Sequence, residues 1–260
     1  MPKLSIITVN LNNAAGLRKT IESVISQTYT DFECLIIDGG STDGSVEIIN
    51  EYDEKITYWV SEPDKGIYNA MNKGILQAKG EYCLFLNSGD WLLNENILNL
   101  VFSKNYIVDL ICCKVYNHIK YGHGTIQLPK EKLTFYDFYI ATLPHQSTFI
   151  KTKLFNENGL YDETLKILAD WKFFIEAVII HHCSYITLDI ETTFFAPGGI
   201  SSENYFININ ERENVLNNLF SPFIEDYKLL QSYKASRFIK LWTKLKDNNM
   251  LLSTYKFFVR

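Results

Sequence analysis

Asp90 is the acid from which a chemical reading of this chain starts. It closes Tyr82-Cys83-Leu84-Phe85-Leu86-Asn87-Ser88-Gly89-Asp90, an apolar run that drives straight into a polar turn. Such a run, with a glycine turn behind it, suits a strand buried on both faces. In an open parallel sheet, ligands bind just beyond the carboxyl ends of such strands. A carboxylate at that mouth is a natural ligand for a hard cation carrying phosphates. The four residues Asn87 to Asp90 also make a good turn with no ligand at all, since all four types favour turns. Taken alone, the turn accounts for them. The upstream chain shifts the balance toward chemistry.

Leu4-Ser5-Ile6-Ile7-Thr8-Val9 reads as a first strand, ending in Asn10-Leu11-Asn12-Asn13. Leu17, Ile21, Val24 and Ile25 follow at helical spacing, and Asn13 can cap that helix. Phe32 to Ile37 is a second strand, closed by the turn-rich run Asp38 to Ser45, and Val46, Ile49 and Tyr52 mark a short helix. Ile56 to Val60 is a third strand, followed by Ser61-Glu62-Pro63-Asp64-Lys65-Gly66 and a helix from Ile67 to about Ala78. Strand and helix thus alternate up to Asp90, the signature of a parallel α/β sheet. Each strand ends in a loop bearing Asn or Asp: Asn10, Asp38, Asp64 and Asp90. Those loops lie along one sheet edge and make one cleft. The layout suits a nucleotide, yet neither G-x-G-x-x-G nor a Walker-type phosphate loop is present. A divalent metal on Asp90 is the substitute.

The segments Ser5–Asn10, Asp38-Gly39-Gly40-Ser41-Thr42-Asp43-Gly44, Glu62–Gly74 and Phe85-Leu86-Asn87-Ser88-Gly89-Asp90 resemble family 2 glycosyltransferases of the GT-A fold. The likeness is greatest to the bacterial enzymes of surface-polysaccharide synthesis and covers roughly residues 3–200. It implies a Rossmann-like, mostly parallel sheet and a pocket for base and ribose lined by Thr8, Asn10, Asp38 and Asp64. Lys79, Asn87 and Gly89 join that donor site, with manganese or magnesium on Asp90. Plainer readings stand beside these roles: Asp38 as a turn residue, Asp64 as a helix cap, Lys79 as a solvated helix end. Asp43 reads best as a turn residue. Where relatives usually carry an acid beside the last one, this chain has Gly89, so a backbone group or water reaches the ribose instead.

Beyond Asp90, Ile107 to Val115 reads as a strand and Tyr116 to Leu128 as a hairpin with Tyr121-Gly122-His123-Gly124 near its turn. His145, in Leu143-Pro144-His145-Gln146, faces the reaction centre in related sequences, although a structural histidine reads equally well. Leu168-Ala169-Asp170-Trp171 resembles the family motif whose Asp is the general base. A carboxylate shielded by Trp171 and Phe173 would have a raised proton affinity suited to that work. The alternative is an acid complementing a helix N-terminus. Pro197-Gly198-Gly199, after a strand from Tyr185 to about Thr192, is either a lid over the donor phosphates or a simple connection.

A length of 260 residues fits one large domain with an appendage. The expected division is 1–202 for the catalytic domain (1–90 nucleotide half, 91–202 acceptor half) and 203–260 for a helical extension. Between Lys228 and Arg260 eight basic residues face one acid, leaving a net charge of −12 on residues 1–227. An acidic body argues against nucleic-acid binding. The basic tail, with Phe238, Leu241, Trp242 and Leu245 at helical spacing, reads either as a membrane-surface helix or as one packed on the body or on a second subunit. No apolar run reaches the roughly 18 residues of a spanning helix, and Met1-Pro2-Lys3-Leu4 enters a strand pattern with no cleavable signal. Five scattered cysteines with no C-x-x-C pair suit buried thiols. The expected setting is cytoplasmic, at the inner face of the membrane if the tail binds lipid. The expected activity is an inverting hexosyltransferase, moving sugar from a UDP-type donor to a glycan or lipid-linked acceptor hydroxyl. Alternatives are a sugar-nucleotide-binding subunit without catalysis and, less favoured, a nucleotidyltransferase.

Overall fold

The computed structural model describes residues 1–117, 125–127, 129–196, 204–236 and 239. The chain forms two compact units, Met1–Glu211 and Arg212–Arg260. Strand β1 (Leu4–Asn10) is buried along its whole length, as an apolar run without polar alternation requires. It pairs in parallel with β2 (Phe32–Asp38) on one side and with β4 (Tyr82–Phe85) on the other, while β3 (Tyr58–Ser61) extends the sheet beyond β2. Three helices follow the first three strands: α1 (Ala14–Ile25), α2 (Ser45–Glu51) and α3 (Ile67–Gln77). Asn13 caps α1 as its position suggested, its side chain accepting from the Gly16 N–H. The register sets Asn10 opposite Asp38, and Asp38 opposite Ser61. The carboxyl ends of these strands therefore lie side by side. The third strand begins later than its apolar pattern suggested, because Asp53–Lys55 forms a 3-10 turn closed at Ile56.

Past β4 the chain folds back on the same sheet. The elements β5 (Trp91–Leu92), α4 (Ile97–Val101), β6 (Leu110–Asn117), β7 (Thr125–Gln127) and α5 (Phe135–Ile140) lead to β8 (Thr148–Lys151). Then come α6 (Lys153–Asn158), α7 (Ala169–Ile175) and β9 (Tyr185–Phe195). The strand order is β3-β2-β1-β4-β8-β6-β9-β5, with β7 paired to β6. Strand β8 runs antiparallel to β4, so its first residues reach the carboxyl end of β4. That one reversal brings the His145 turn to the edge where Asn87 emerges. The β6–β7 pair is antiparallel, as the expected hairpin requires. Its turn, the Pro197-Gly198-Gly199 segment and the basic stretch beyond residue 239 lie outside the described residues. All five cysteines are free thiols, four of them buried.

Helix α8 (Tyr205–Ala235) carries Pro222, and non-helical dihedrals at Phe220 mark a kink there. Proline accounts for it, lacking an N–H and clashing with the preceding turn. Among the described residues no helix is long and apolar enough to cross a membrane.

The opposite edge of the sheet is locked by Glu33, only 5% exposed. It accepts from Ser5 Oγ and from the backbone N–H groups of Lys79 and Gly80. Gly80 lies so close to β1 that a Cβ there would stand 2.4 Å from the Ser5 nitrogen and 2.6 Å from the Leu4 carbonyl carbon. Gly80→Ala is expected to destabilise by about 1–3 kcal/mol, as overpacking against backbone does. Thermal unfolding should show a fall of several degrees, and an unchanged midpoint would mean that this edge yields freely.

Candidate active site

A cleft of about 430 Å³ opens at the carboxyl ends of β1 and β4, a size suited to a small ligand. Asn10, at the end of β1, lines it. Its Nδ2 donates to Asp38 Oδ1 (2.7 Å) and Ser41 Oγ (3.2 Å), while its Oδ1 is buried with no partner. That orphaned acceptor is held ready for a ligand donor. Asp38 is fully buried and does not line the cleft. It accepts from Asn10, Ser41 Oγ, Ser61 Oγ and the backbone N–H groups of Gly40 and Ser41. Burial pushes this carboxyl up, but the hydrogen bonds outweigh it and hold it below the ordinary value. Asp38 therefore braces Asn10 from behind. Thr8 is likewise buried in the wall, whereas Asp64 lines the cleft, its Oδ1 accepting from the Gly66 N–H at 2.8 Å.

The turn after β4 is tied down from below. Asn13 Nδ2 donates to the Ser88 carbonyl at 2.8 Å, so one side chain caps α1 and holds the turn. Thr20 Oγ1 donates to the Asp90 carbonyl (2.7 Å) and accepts from the Gly89 N–H (3.0 Å). Gly89 has φ +105°, a conformation that side-chain-bearing residues rarely adopt. Asp90 emerges into the cleft only 4% exposed. Burial drives its carboxyl up to about 7, although the Ala196 N–H on Oδ1 (2.9 Å) and the His145 charge pull the other way. A desolvated carboxylate of this kind gains from a cation. Among the described residues no group of three or more His, Cys, Asp and Glu side chains could hold a metal ion. One carboxylate plus substrate phosphates is nevertheless the usual way magnesium is bound, so the oxygen donor of Asp90 fits a hard divalent ion.

Across the cleft stands Asp170, in the first turn of α7 and 8% exposed. His145 Nδ1 donates to Asp170 Oδ2 at 2.8 Å, and the Tyr68 hydroxyl donates to Oδ1 at 2.9 Å. Burial raises the Asp170 carboxyl, but the bond and charge of His145, then the Tyr68 bond, outweigh it and hold it below the ordinary value. The shielded, raised proton affinity expected from Trp171 and Phe173 is therefore corrected: two donors reach the carboxylate. His145 moves the other way. Burial lowers it, but Asp170 and then Asp90 hold the ring above its ordinary value. His145 Nε2 lies 3.3 Å from Asn87 Nδ2, while Asn87 Oδ1 is buried without a partner. A half-turn of the Asn87 amide gives a charged ring the acceptor it needs and removes that orphan.

The structure thus brings Asn10, Asp64, Asn87, Asp90, His145 and Asp170 to one cleft. Thr8 and Asp38 stand behind its wall, and Gly89 shapes the turn. Lys79 is not brought there. It is exposed at the amino end of β4, where its N–H meets Glu33. Tyr68 and Lys166 line the cleft without having been singled out. Tyr68 shares the buried α3 face with Met71 and Ile75, so spacing alone shows a core residue.

Residues 5–180 match the family model described as Glycosyl transferase family 2. An uncharacterized glycosyltransferase of Mycobacterium tuberculosis is 30% identical over 211 residues, 77% of this chain and 78% of that protein. A PGL/p-HBAD biosynthesis glycosyltransferase of Mycobacterium bovis is 33% identical over 181 residues, 66% of this chain and 68% of its own. The chain belongs to glycosyl transferase family 2. Its sheet is the GT-A fold, shared with S. aureus TarS residues 1–349 in complex with UDP-GlcNAc (TM-score 0.65, 20% identity, 83% of this chain and 67% of that one). It is shared also with a Pyrobaculum calidifontis mannosyltransferase in complex with GDP-Man and Mn2+ (TM-score 0.60, 14% identity, 97% and 86%). Of the longer TarS chain it spans 44%.

The His145–Asp170 pair sets a pH dependence of stability. A histidine held above its ordinary value stabilises fully below about pH 6.5 and loses this as pH rises through its folded-state value. An aspartate held below 3.8 stabilises above that pH and loses this as pH falls through its folded-state value. His145→Gln should therefore cost on the order of 3 kcal/mol near pH 5 to 6, and much less near pH 9. Thermal unfolding across that range checks this; a pH-independent deficit would rule out the ion pair.

Proposed function

We propose that this protein is an inverting glycosyltransferase, carrying a hexose from a nucleoside-diphosphate donor to a hydroxyl of a glycan or lipid-linked acceptor. The observation that carries this reading is that Asp90 and Asp170 line one cleft, linked through Asn87 and His145. Residues 1–90 supply the donor contacts and 91–202 the acceptor side. The open Oδ1 of Asn10 and the carboxylate of Asp64 suit donors on a base or ribose. Uridine is the base we favour, in keeping with the UDP-GlcNAc bound to the TarS neighbour.

Asp90 would hold manganese or magnesium, which when bound offsets the charge growing on the leaving diphosphate. Asp170 is ionised, the state a general base requires. His145 and Tyr68 each use one lone pair of its carboxylate, leaving others to accept the acceptor O–H. The acceptor oxygen bonds the anomeric carbon as the bond to the diphosphate breaks, and its proton passes to Asp170. One displacement from the far side inverts the centre. His145, whose charge the two acids support, offsets negative charge in the site while fixing the orientation of the base.

The first test is a thermal-shift panel of UDP, GDP, dTDP and CDP with and without manganese. A ligand at about a hundred times its dissociation constant adds roughly 2.7 kcal/mol. A shift should appear for one nucleotide, require the metal, and vanish in Asp90→Ala; no shift with any of them would sink the donor site. Asp170→Asn should keep that shift and lose roughly 10²–10⁴ in turnover. Turnover retained in Asp170→Asn would remove it as the base, and a wild-type protein that binds nucleotide without turnover would indicate a binding subunit.

A further inference from the structure

Glu211 lies beyond the family-matched residues and does not line the cleft. From α8 its Oε1 accepts from the Lys166 N–H at 2.6 Å, and its Oε2 from the N–H groups of Ile167 and Leu168, both at 3.1 Å. Three successive backbone donors thus converge on one carboxylate. Ile167 and Leu168 are buried, so their N–H groups have no solvent to turn to. Leu168 is the N-cap of α7, so the clasp ends where that helix begins. The other side of the same segment is gripped by Tyr68, whose single hydroxyl proton is shared between the Ile167 carbonyl (2.5 Å) and Asp170 Oδ1 (2.9 Å). Lys166 and Ile167 line the cleft, and Asp170 stands two residues past Leu168.

We propose that Glu211, at the start of α8, is a positioning residue for Asp170. The proposal rests on reading Asp170 as the base. The clasp fixes the backbone from which α7 starts, and α7 sets where the Asp170 carboxylate sits. Misplacing a reacting group by about 1 Å can cost roughly 10²-fold in rate. The donor-side groups Asn10, Asp64 and Asp90 share no hydrogen bond with the clasp, so its loss is expected to fall on turnover and to spare nucleotide affinity.

The direct test needs no substrate. Amide hydrogen exchange at Lys166, Ile167 and Leu168 should be slow in the wild type and accelerate strongly in Glu211→Ala. Glu211→Gln, which keeps one acceptor oxygen, should fall between. Unchanged exchange overturns the clasp. The functional arm measures nucleotide release from UDP-glucose, UDP-galactose, UDP-N-acetylglucosamine and GDP-mannose, with manganese and with water as acceptor. Glu211→Ala should lose about 10²-fold in kcat, with nucleotide affinity unchanged and partial recovery in Glu211→Gln. In an Asp170→Asn background it should cost nothing further, because groups acting as a unit are not additive. Additive losses, or a parallel fall in nucleotide affinity, would overturn the positioning role. An inactive Asp170→Asn beside a fully active Glu211→Ala removes the positioning role alone; a fully active Asp170→Asn removes the base reading and the proposal with it.

Discussion

The 2.8 Å bond between His145 and Asp170 joins two stretches of chain that nothing local holds together. His145 arrives on the turn into β8 and Asp170 on the first turn of α7. Asp170 is buried and His145 half-buried, and each is costly there as a lone charge. Paired, they define a site in which an ionised carboxylate persists out of water. The pair also explains why β8 must run antiparallel to β4. A parallel β8 would carry its first residues to the Glu33 edge and leave Asp170 uncompensated.

Around that pair the cleft is built by braces that never touch it. Asp38 spends its acceptor capacity on the loop after β2, on Ser61 at the end of β3 and on Asn10, leaving Asn10 Oδ1 as the open group. Thr20 and Asn13 do the same for the Asn87–Asp90 turn. These residues hold the backbone so that a few polar atoms can stay unpaired. A buried orphan such as Asn10 Oδ1 is destabilising, by about 1–3 kcal/mol. It persists here because Asn10 Nδ2 is already committed to Asp38 and Ser41.

The strand ends were legible because a parallel strand announces itself as an apolar run that stops at Asn or Asp, and connectivity then places every such stop on one edge. That logic reached Asn10, Asp64, Asp90 and, through the family resemblance, His145 and Asp170. It could not tell which side of a strand end faces the cleft, so Thr8 and Asp38 counted as lining although they stand behind it. Lys79 followed from motif similarity alone; its place before β4 puts it at the amino end, away from the cleft. Tyr68 was hidden because its ring satisfies the helical core pattern while only its hydroxyl does polar work. Glu211 was hidden by distance, since its amides lie 43 to 45 residues earlier in the chain.

Gly89 shows how a local departure and the backbone answer each other. The family resemblance implies an acid there. At φ +105° a side chain would be strained, and an added Cβ would stand 3.3 Å from Asn13 Nδ2. The same Asn13 amide holds the Ser88 carbonyl, and the Gly89 N–H is held by Thr20. Restoring an acid at 89 therefore asks the turn to leave the conformation that delivers Asp90 into the cleft. The lost carboxylate is the cost of that geometry. What the turn keeps is one desolvated acid, aimed at the place where a cation and a diphosphate would meet.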